Sequence, residues 1–297
     1  MFERLGTQNF EQVLSRLQVA GEVARALQID DAPFRVHYLA VRDSLAAAVH
    51  HVHIPWDNAS SDALSQIAAT LSGFERVYTT NYDILIYWAA MLWNSQDHGH
   101  TFKDFFWTQG DEETTEFDVA NTVLWGNVTG VLYLHGALHL VRTIEGATYK
   151  VCNHEGTRVL DRFGQPILDG AVPLVVTEGG SLSKLASIEQ SSYLSFGLAA
   201  FARDERDLVA LGHSLGESDQ HLVDVIAPNP YRIRNVGIGI HQVGGDVAQQ
   251  MERFLALLPN ARVFFFDAET HPLADPTLLQ APLPHFGVNF DLDELSF

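Results

Sequence analysis

The C-terminal half of the chain alternates between two periods, and that alternation restricts the fold more than any other feature of the sequence. Apolar, β-rich runs at 172–176, 208–211, 235–240 and 262–266 are separated by stretches of helical spacing at about 183–203, 218–226 and 246–258. A strand that rejoins its sheet after a helix must cross over, so this order predicts a parallel sheet with helices on both faces. The first half is mainly helical. Phe10, Val13, Leu14 and Leu17 obey the i, i+3, i+4, i+7 rule and predict a helix from about residue 9 into the twenties. A second spans roughly 33–51, with Val36, Leu39, Ala40 and Leu45 among its apolar positions. Ser60 or Ser61 caps a third, which carries Leu64, Ile67, Ala68 and Leu71 and ends at Gly73.

Then the period shortens. Residues 74–80 read as a strand, Ile84 to Trp93 as a helix and Val131 to Leu134 as a buried strand. The polar, acidic and aromatic stretch at 95–121 reads as a long loop or insertion. Residues 142–170 hold β-type runs at 148–152 and 157–160 and read as a second insertion with a small hairpin. The expected architecture is a single α/β domain over residues 1–297, a Rossmann-like parallel sheet with a helical N-terminal part and insertions at about 95–128 and 142–170. The tail after Asp267 reads as trailing and partly irregular.

Charge narrows the partners. The 37 Asp and Glu outnumber the 18 Lys and Arg, a formal net charge of −19, which repels phosphate backbones and anionic membranes. Neither direct nucleic-acid binding nor membrane attachment is expected. Cys152 is the single cysteine, so no intrachain disulfide and no four-cysteine zinc ribbon forms, and a free thiol fits a reducing compartment. No signal peptide is legible at the N-terminus, and the expected location is cytoplasmic.

In open parallel sheets, ligands bind outside the carboxyl ends of the strands. Three polar motifs stand at such ends: Thr80-Asn81-Tyr82-Asp83, Leu134-His135-Gly136, and Leu211-Gly212-His213-Ser214-Leu215 running on to Asp219. One reading takes Gly212–Gly216 as a Gly-x-Ser-x-Gly elbow of a serine esterase, with Ser214 as nucleophile and Asp267 or Asp275 with His271 or His285 as partners. Against it, Glu217 and Asp219 beside an oxyanion site would oppose developing negative charge. It also leaves Asn81 and Asp83 idle.

The other reading uses all three motifs. In this order they resemble those of the sirtuin-like proteins, and more closely a bacterial family of sirtuin-like domains associated with NAD degradation and phage defence. Further matches include Phe2–Thr7 with Phe10-Glu11, Thr177-Glu178-Gly179 with Ser183-Lys184, Tyr193–Phe196 and Phe265–Asp267. The resemblance implies NAD as substrate, cleaved to nicotinamide and ADP-ribose by an antiviral effector. It implies Asn81 and His135 as catalytic residues and Thr80, Asp83, Gly212, Ser214 and Asp219 as dinucleotide-binding. It also implies a homo-oligomer or a defence-system partner protein, and no metal. The aromatics of 102–107 read as an exposed interface. The family's opening strand and glycine-rich pyrophosphate turn have no counterpart before Phe2, and Gly6 follows no strand. By that resemblance the chain begins some tens of residues late, or this member lacks the loop and is a non-catalytic nucleotide-binding or assembly subunit.

The residue chemistry agrees with the first of these roles. A neutral imidazole can take a proton from a ribose hydroxyl or from water, and Asn81 can both donate and accept. Plainer roles exist for several residues. Asn81 and Asp83 can cap the next helix, Ser214 can be an N-cap, and Asp219 can be a first-turn acid. Lys184 reads as a solvated helix lysine. His50-His51-x-His53 and His98-x-His100 read as surface or loop histidines, and the run from Tyr87 to Trp93 as core.

Overall fold

The computed structural model describes residues 2–5, 10–52, 59–108, 114–143, 147–152, 172–176, 180–226, 233–241, 246–275 and 278. Four helices come first: α1 (Phe2–Leu5), α2 (Phe10–Ala26), α3 (Ala32–Val52) and α4 (Ser61–Leu71). α2 and α3 pack on each other through Val13 and Val41. Gln28 turns the chain between them with φ of +59°. α4 starts where Ser60 Oγ accepts the Ala63 N–H at 3.1 Å. Its apolar stripe of Ala63, Leu64, Ile67, Ala68 and Leu71 is buried, as helical spacing requires.

β1 (Arg76–Thr79) and α5 (Leu85–Asn94) follow, then β2 (Thr101–Lys103), β3 (Phe106–Thr108), β4 (Thr114–Phe117), β5 (Val128–Tyr133), β6 (Gly136–Arg142), β7 (Thr148–Val151) and β8 (Val172–Val175). The remaining elements are α6 (Ser181–Glu189), α7 (Ser192–Arg203), β9 (Leu208–Ala210), α8 (Gln220–Ile226), β10 (Arg234–Ile240), α9 (Val247–Leu257) and β11 (Ala261–Asp267). These make a mixed α/β structure. Two sheets are parallel and three-stranded, in the orders β1-β5-β2 and β11-β10-β9. A third, antiparallel sheet has the order β3-β4-β7-β6-β8.

One core joins α4, α5, the first parallel sheet and the antiparallel sheet, with Leu64, Trp88, Leu132 and Tyr193 among its buried residues. A second surrounds β10, where Val236, Ile238 and Ile240 meet Phe201, Leu222 and Phe254. No helix among the described residues is long and apolar enough to cross a membrane.

Several expectations change in detail. The helix anticipated over 183–203 breaks at Gln190, because Ser191 Oγ accepts the Leu194 N–H and caps a new helix. The stretch from 95 to 121 is not simply loop: β2 extends the first parallel sheet, and β3 and β4 join the antiparallel one. The strand at 172–175 pairs antiparallel with β6 and is no part of either parallel sheet. Phe102, Phe105 and Phe106 are buried, so these three aromatics of 102–107 are core and not an exposed interface, while Trp107 is half-buried. Phe106 packs on Tyr193 and Phe117, and Phe105 on Phe196. The run Tyr87–Ala89 is buried, as expected of core. His98 is exposed and stacks on Trp93, whereas His100 is buried and meets Thr129 Oγ1 at 3.0 Å. Gly6, His53, His154, 157–160, 177–179 and His285 lie outside the described residues.

Candidate functional site

The three strand-end motifs sit where parallel strands give way to turns. Behind β5, the chain reverses at His135-Gly136 into β6. Gly136 has φ of +79°, and a Cβ there would lie 1.9 Å from the Leu174 carbonyl oxygen, so only glycine allows β8 to approach so closely. The Val176 N–H bonds the His135 carbonyl at 2.8 Å, which pins the turn. Behind β1, the Asn81 N–H bonds Thr79 Oγ1, and the Tyr82 hydroxyl donates to the Val176 carbonyl at 2.7 Å. Behind β9, Gly212 takes φ of +68° in open space, and the Leu215 N–H bonds His213 Nδ1.

His135, 3% exposed, is the centre of a buried polar cluster. Its Nε2 lies 3.0 Å from Nε2 of His221. At that distance one imidazole donates and the other accepts, so the pair is compatible with two neutral rings and not with two charged ones. Ser181 holds His221 twice, by accepting its backbone N–H at 2.7 Å and by contact with its Nδ1 at 3.2 Å. Asp219 stands 3.8 Å from His135 Nε2 and 3.9 Å from His213 Nε2. Lys184, 2% exposed, donates to Asp219 at 2.9 Å.

The electrostatics follow. Burial, helped by the Lys184 ammonium, pushes His135 down to about 3, against an upward pull from Asp219. Burial first, then Lys184, takes His221 down to about 4. His213 is also lowered, mainly by burial. Burial alone would raise the Asp219 carboxyl, but its hydrogen bond and charge interaction with Lys184 outweigh this and hold it below the ordinary carboxylate value. At neutral pH the cluster therefore presents neutral imidazoles around an ionised acid and an ammonium.

Beside the cluster lies a cavity of about 190 Å³ lined by Thr79, Thr80 and Asn81 on one side and by residues 208–213 on the other, with Leu134 between. Thr80, Asn81 and Gly212 thus share one cavity, while His135 and Asp219 share the adjoining cluster. His213 belongs to both, lining the cavity and facing Asp219. Two anticipated residues are placed otherwise. Asp83 Oδ1 accepts the Leu85 N–H at 2.9 Å at the start of α5, the plainer capping role. Ser214 is exposed, and its carbonyl accepts from Arg253.

The esterase reading finds no support in this geometry. Among the described residues, the Ser214 side chain bonds no histidine. Asp267 accepts the Glu269 N–H and His271 the Leu273 N–H, so both act as local caps. Sequence reasoning missed His221 and Ser181, and it left Lys184 in solvent. The Asp219-x-His221 spacing and the Ser181-x-x-Lys184 spacing at the start of α6 are the signals that point to them. His135, Asp219 and His221 could also gather around a cation, their ligand atoms lying within 4.8 Å of one another. The Lys184 ammonium on the same carboxylate oxygen opposes that use.

A family model described as a domain of unknown function (DUF4917) matches residues 1–273. No curated protein matches the chain.

Proposed function

The chain belongs to the DUF4917 family, and we propose, from the geometry of its strand-end cluster, that it hydrolyses the N-glycosidic bond of NAD. One observation carries the reading: a neutral, buried imidazole, His135, stands at the carboxyl end of a parallel strand, 3.8 Å from an ionised carboxylate and beside a cavity that Asn81 lines. In the proposed step water adds to the anomeric carbon of the nicotinamide ribose. The C–N bond breaks, its electron pair leaves with neutral nicotinamide, and the proton of the attacking water passes to His135, leaving ADP-ribose. Asn81 orients the water or the ribose hydroxyls.

Asp219, kept ionised by Lys184, has two uses in this scheme. It can receive ribose hydroxyls, and it places negative charge near a carbon that turns cationic in the transition state. An imidazole at about 3 is a weak base in the free protein. Two negative charges of a bound pyrophosphate near it would raise it toward the working range. Gly212, with open space above it, lets a ligand approach the backbone closely. The finer architecture, a Rossmann-like sheet of the sirtuin-like kind, belongs to the same proposal. It is supported by the order of the three motifs along parallel strands. An effector role in phage defence does too, and depletion of cellular NAD on expression would support it.

The test is nicotinamide release from NAD by the purified protein, compared with His135→Ala and Asn81→Ala. The expected loss is roughly 10²- to 10⁴-fold for His135→Ala, the usual contribution of a positioned acid–base group. Equal activity in all three proteins overturns the mechanism. Binding of NAD without any turnover replaces it with a nucleotide-binding role.

A further inference from the structure

We propose that a second cavity, of about 560 Å³ and lined by one face of α7 and by Arg76 and Tyr78 of β1, binds a small organic oxyanion, a carboxylate or phosphate monoester carried on a flat apolar body. This site stands apart from the one proposed for NAD. The two cavities share Tyr78 alone, and no residue given a role in NAD cleavage lines the larger one.

One stripe of α7 makes a wall of the cavity. Phe196, Ala199, Ala200 and Arg203 follow the i, i+3, i+4, i+7 spacing, and all four line it. The two alanines leave space in the middle of the stripe, with an aromatic ring one turn before them and a guanidinium one turn after. Sites for small organic molecules enclose about 300–1,000 Å³, and this cavity falls within that range. Its wall is therefore apolar at one end and cationic at the other, which selects a ligand built the same way.

The charge of the ligand follows from which cations are already matched. In a chain of net charge −19, three of the 18 Lys and Arg meet here: Arg76, Arg203 and Arg206. Arg206 is spent. Its Nε and Nη2 each donate to Asp204 at 2.8 Å, and its Nη1 donates to Glu75. Asp204 also accepts the Tyr78 hydroxyl at 2.9 Å, so its charge is taken up by these partners. Arg203 and Glu205 are exposed. Arg76 is half-buried, and packing holds it in place. Its Cζ lies 5.5 Å from the centroid of the Phe105 ring, and Phe105 packs edge-on against Phe196 of the cavity wall. On β5, Gly130 is its register partner, and a Cβ there would lie 3.3 Å from Arg76 Nη1, so glycine makes room for the guanidinium. That Nη1 is buried and has no hydrogen-bond partner among the described residues. A guanidinium withdrawn from water without an acceptor is costly. An oxyanion in the cavity supplies the missing counter-charge, and the planar guanidinium fork suits carboxylate and phosphate oxygens. The Phe196 ring and the two alanines take the flat body.

Calorimetric titration of the full chain tests the proposal. Phenyl phosphate and benzoate are the probes, with inorganic phosphate for the charge alone and phenol for the ring alone. At least one probe is expected to bind one per chain, about ten-fold or more tighter than phosphate or phenol. In Arg76→Met, which keeps an apolar stem beside Phe105, that binding should weaken about ten-fold or more. If Arg76→Met fails to fold, Ala199→Leu decides: it fills the middle of the α7 stripe and should weaken the same binding by as much. Equal binding in the natural chain and in either folded variant overturns the proposal. So does the failure of both probes to bind, and so does inorganic phosphate binding as tightly as they do, which would leave a site for a simple anion only.

Discussion

The two parallel sheets are built alike and buried differently. β5, the centre of the first, is buried without interruption from Thr129 to Tyr133. β10, the centre of the second, alternates, with Val236, Ile238 and Ile240 buried and Asn235, Gly237 and Gly239 less so. The first sheet is enclosed by α4, α5 and the antiparallel sheet. The second keeps an open side, on which Phe264 is 52% exposed. Continuous burial reports two covered faces and alternating burial reports one, so the period of burial shows what packs on each sheet. The candidate site lies where they meet. His135 leaves the enclosed sheet, and Asp219 and His221 follow β9 of the open one. A firmly packed support thus holds the imidazole, while a more accessible strand end supplies its charged neighbours.

The sharpest break of this comparison is a pair of glycines. Gly136→Ala should cost more than about 3 kcal/mol or abolish folding, since its Cβ has no room and its φ is left-handed. Gly212→Ala meets nothing within 4 Å and should cost only about 1–2 kcal/mol from φ strain. Urea denaturation measures both, and similar losses would mean that the two turns are equally loose.

Next in size is a pair of apolar deletions. Leu132→Ala, at a site 0% exposed, should cost about 3–4 kcal/mol. Phe264→Ala on the open sheet should cost clearly less, about 1–2 kcal/mol. Equal losses would show that the outer face of β11 is covered in solution.

At neutral pH the smallest effect is at the buried histidines, which act only in acid. His135, His139 and His221 are all held below their ordinary value, His135 and His139 at about 3 and His221 at about 4, with burial the main cause in each. Above pH 6.5 they are neutral folded and unfolded, and contribute nothing to the pH dependence. Below it the unfolded chain binds protons that the folded one refuses, so stability falls as pH drops from about 6.5 toward 3–4. His139 belongs to the enclosed side, stacked on Tyr87 and near Tyr133, and among the described residues neither of its ring nitrogens has a hydrogen-bond partner. His139→Phe should therefore leave stability at pH 7 nearly unchanged and flatten the acid slope of the thermal midpoint, with the polar cluster intact. A midpoint that falls by several degrees at pH 7 would show that His139 has a polar role.

Much of the element order was legible in the sequence because periodicity and capping act locally. The α4 stripe with its Ser60 cap, the alternating β10 and the Asp246 cap of α9, which accepts the Ala248 and Gln249 amides, are examples. The break at Ser191 is local too, but its capping signal is hidden inside an apolar run that favours continuing the helix. The strands of 101–117 were illegible for a different reason. They are three or four residues long, and their partners β5 and β7 lie elsewhere in the chain, so pairing and not propensity makes them strands.

By itself the sequence determined which strand ends carry polar residues and glycine: His135 before Gly136, Asn81 after β1, and the run from Gly212 to Asp219. Only the tertiary structure decided which of these groups face one another. His135 meets His221 across 86 positions, and Lys184 meets Asp219 across 35. Nothing in a local pattern separates a buried lysine from a solvated one. What separates them is a carboxylate 2.9 Å away in a place closed to water, where an unpaired ammonium would be too costly to hold.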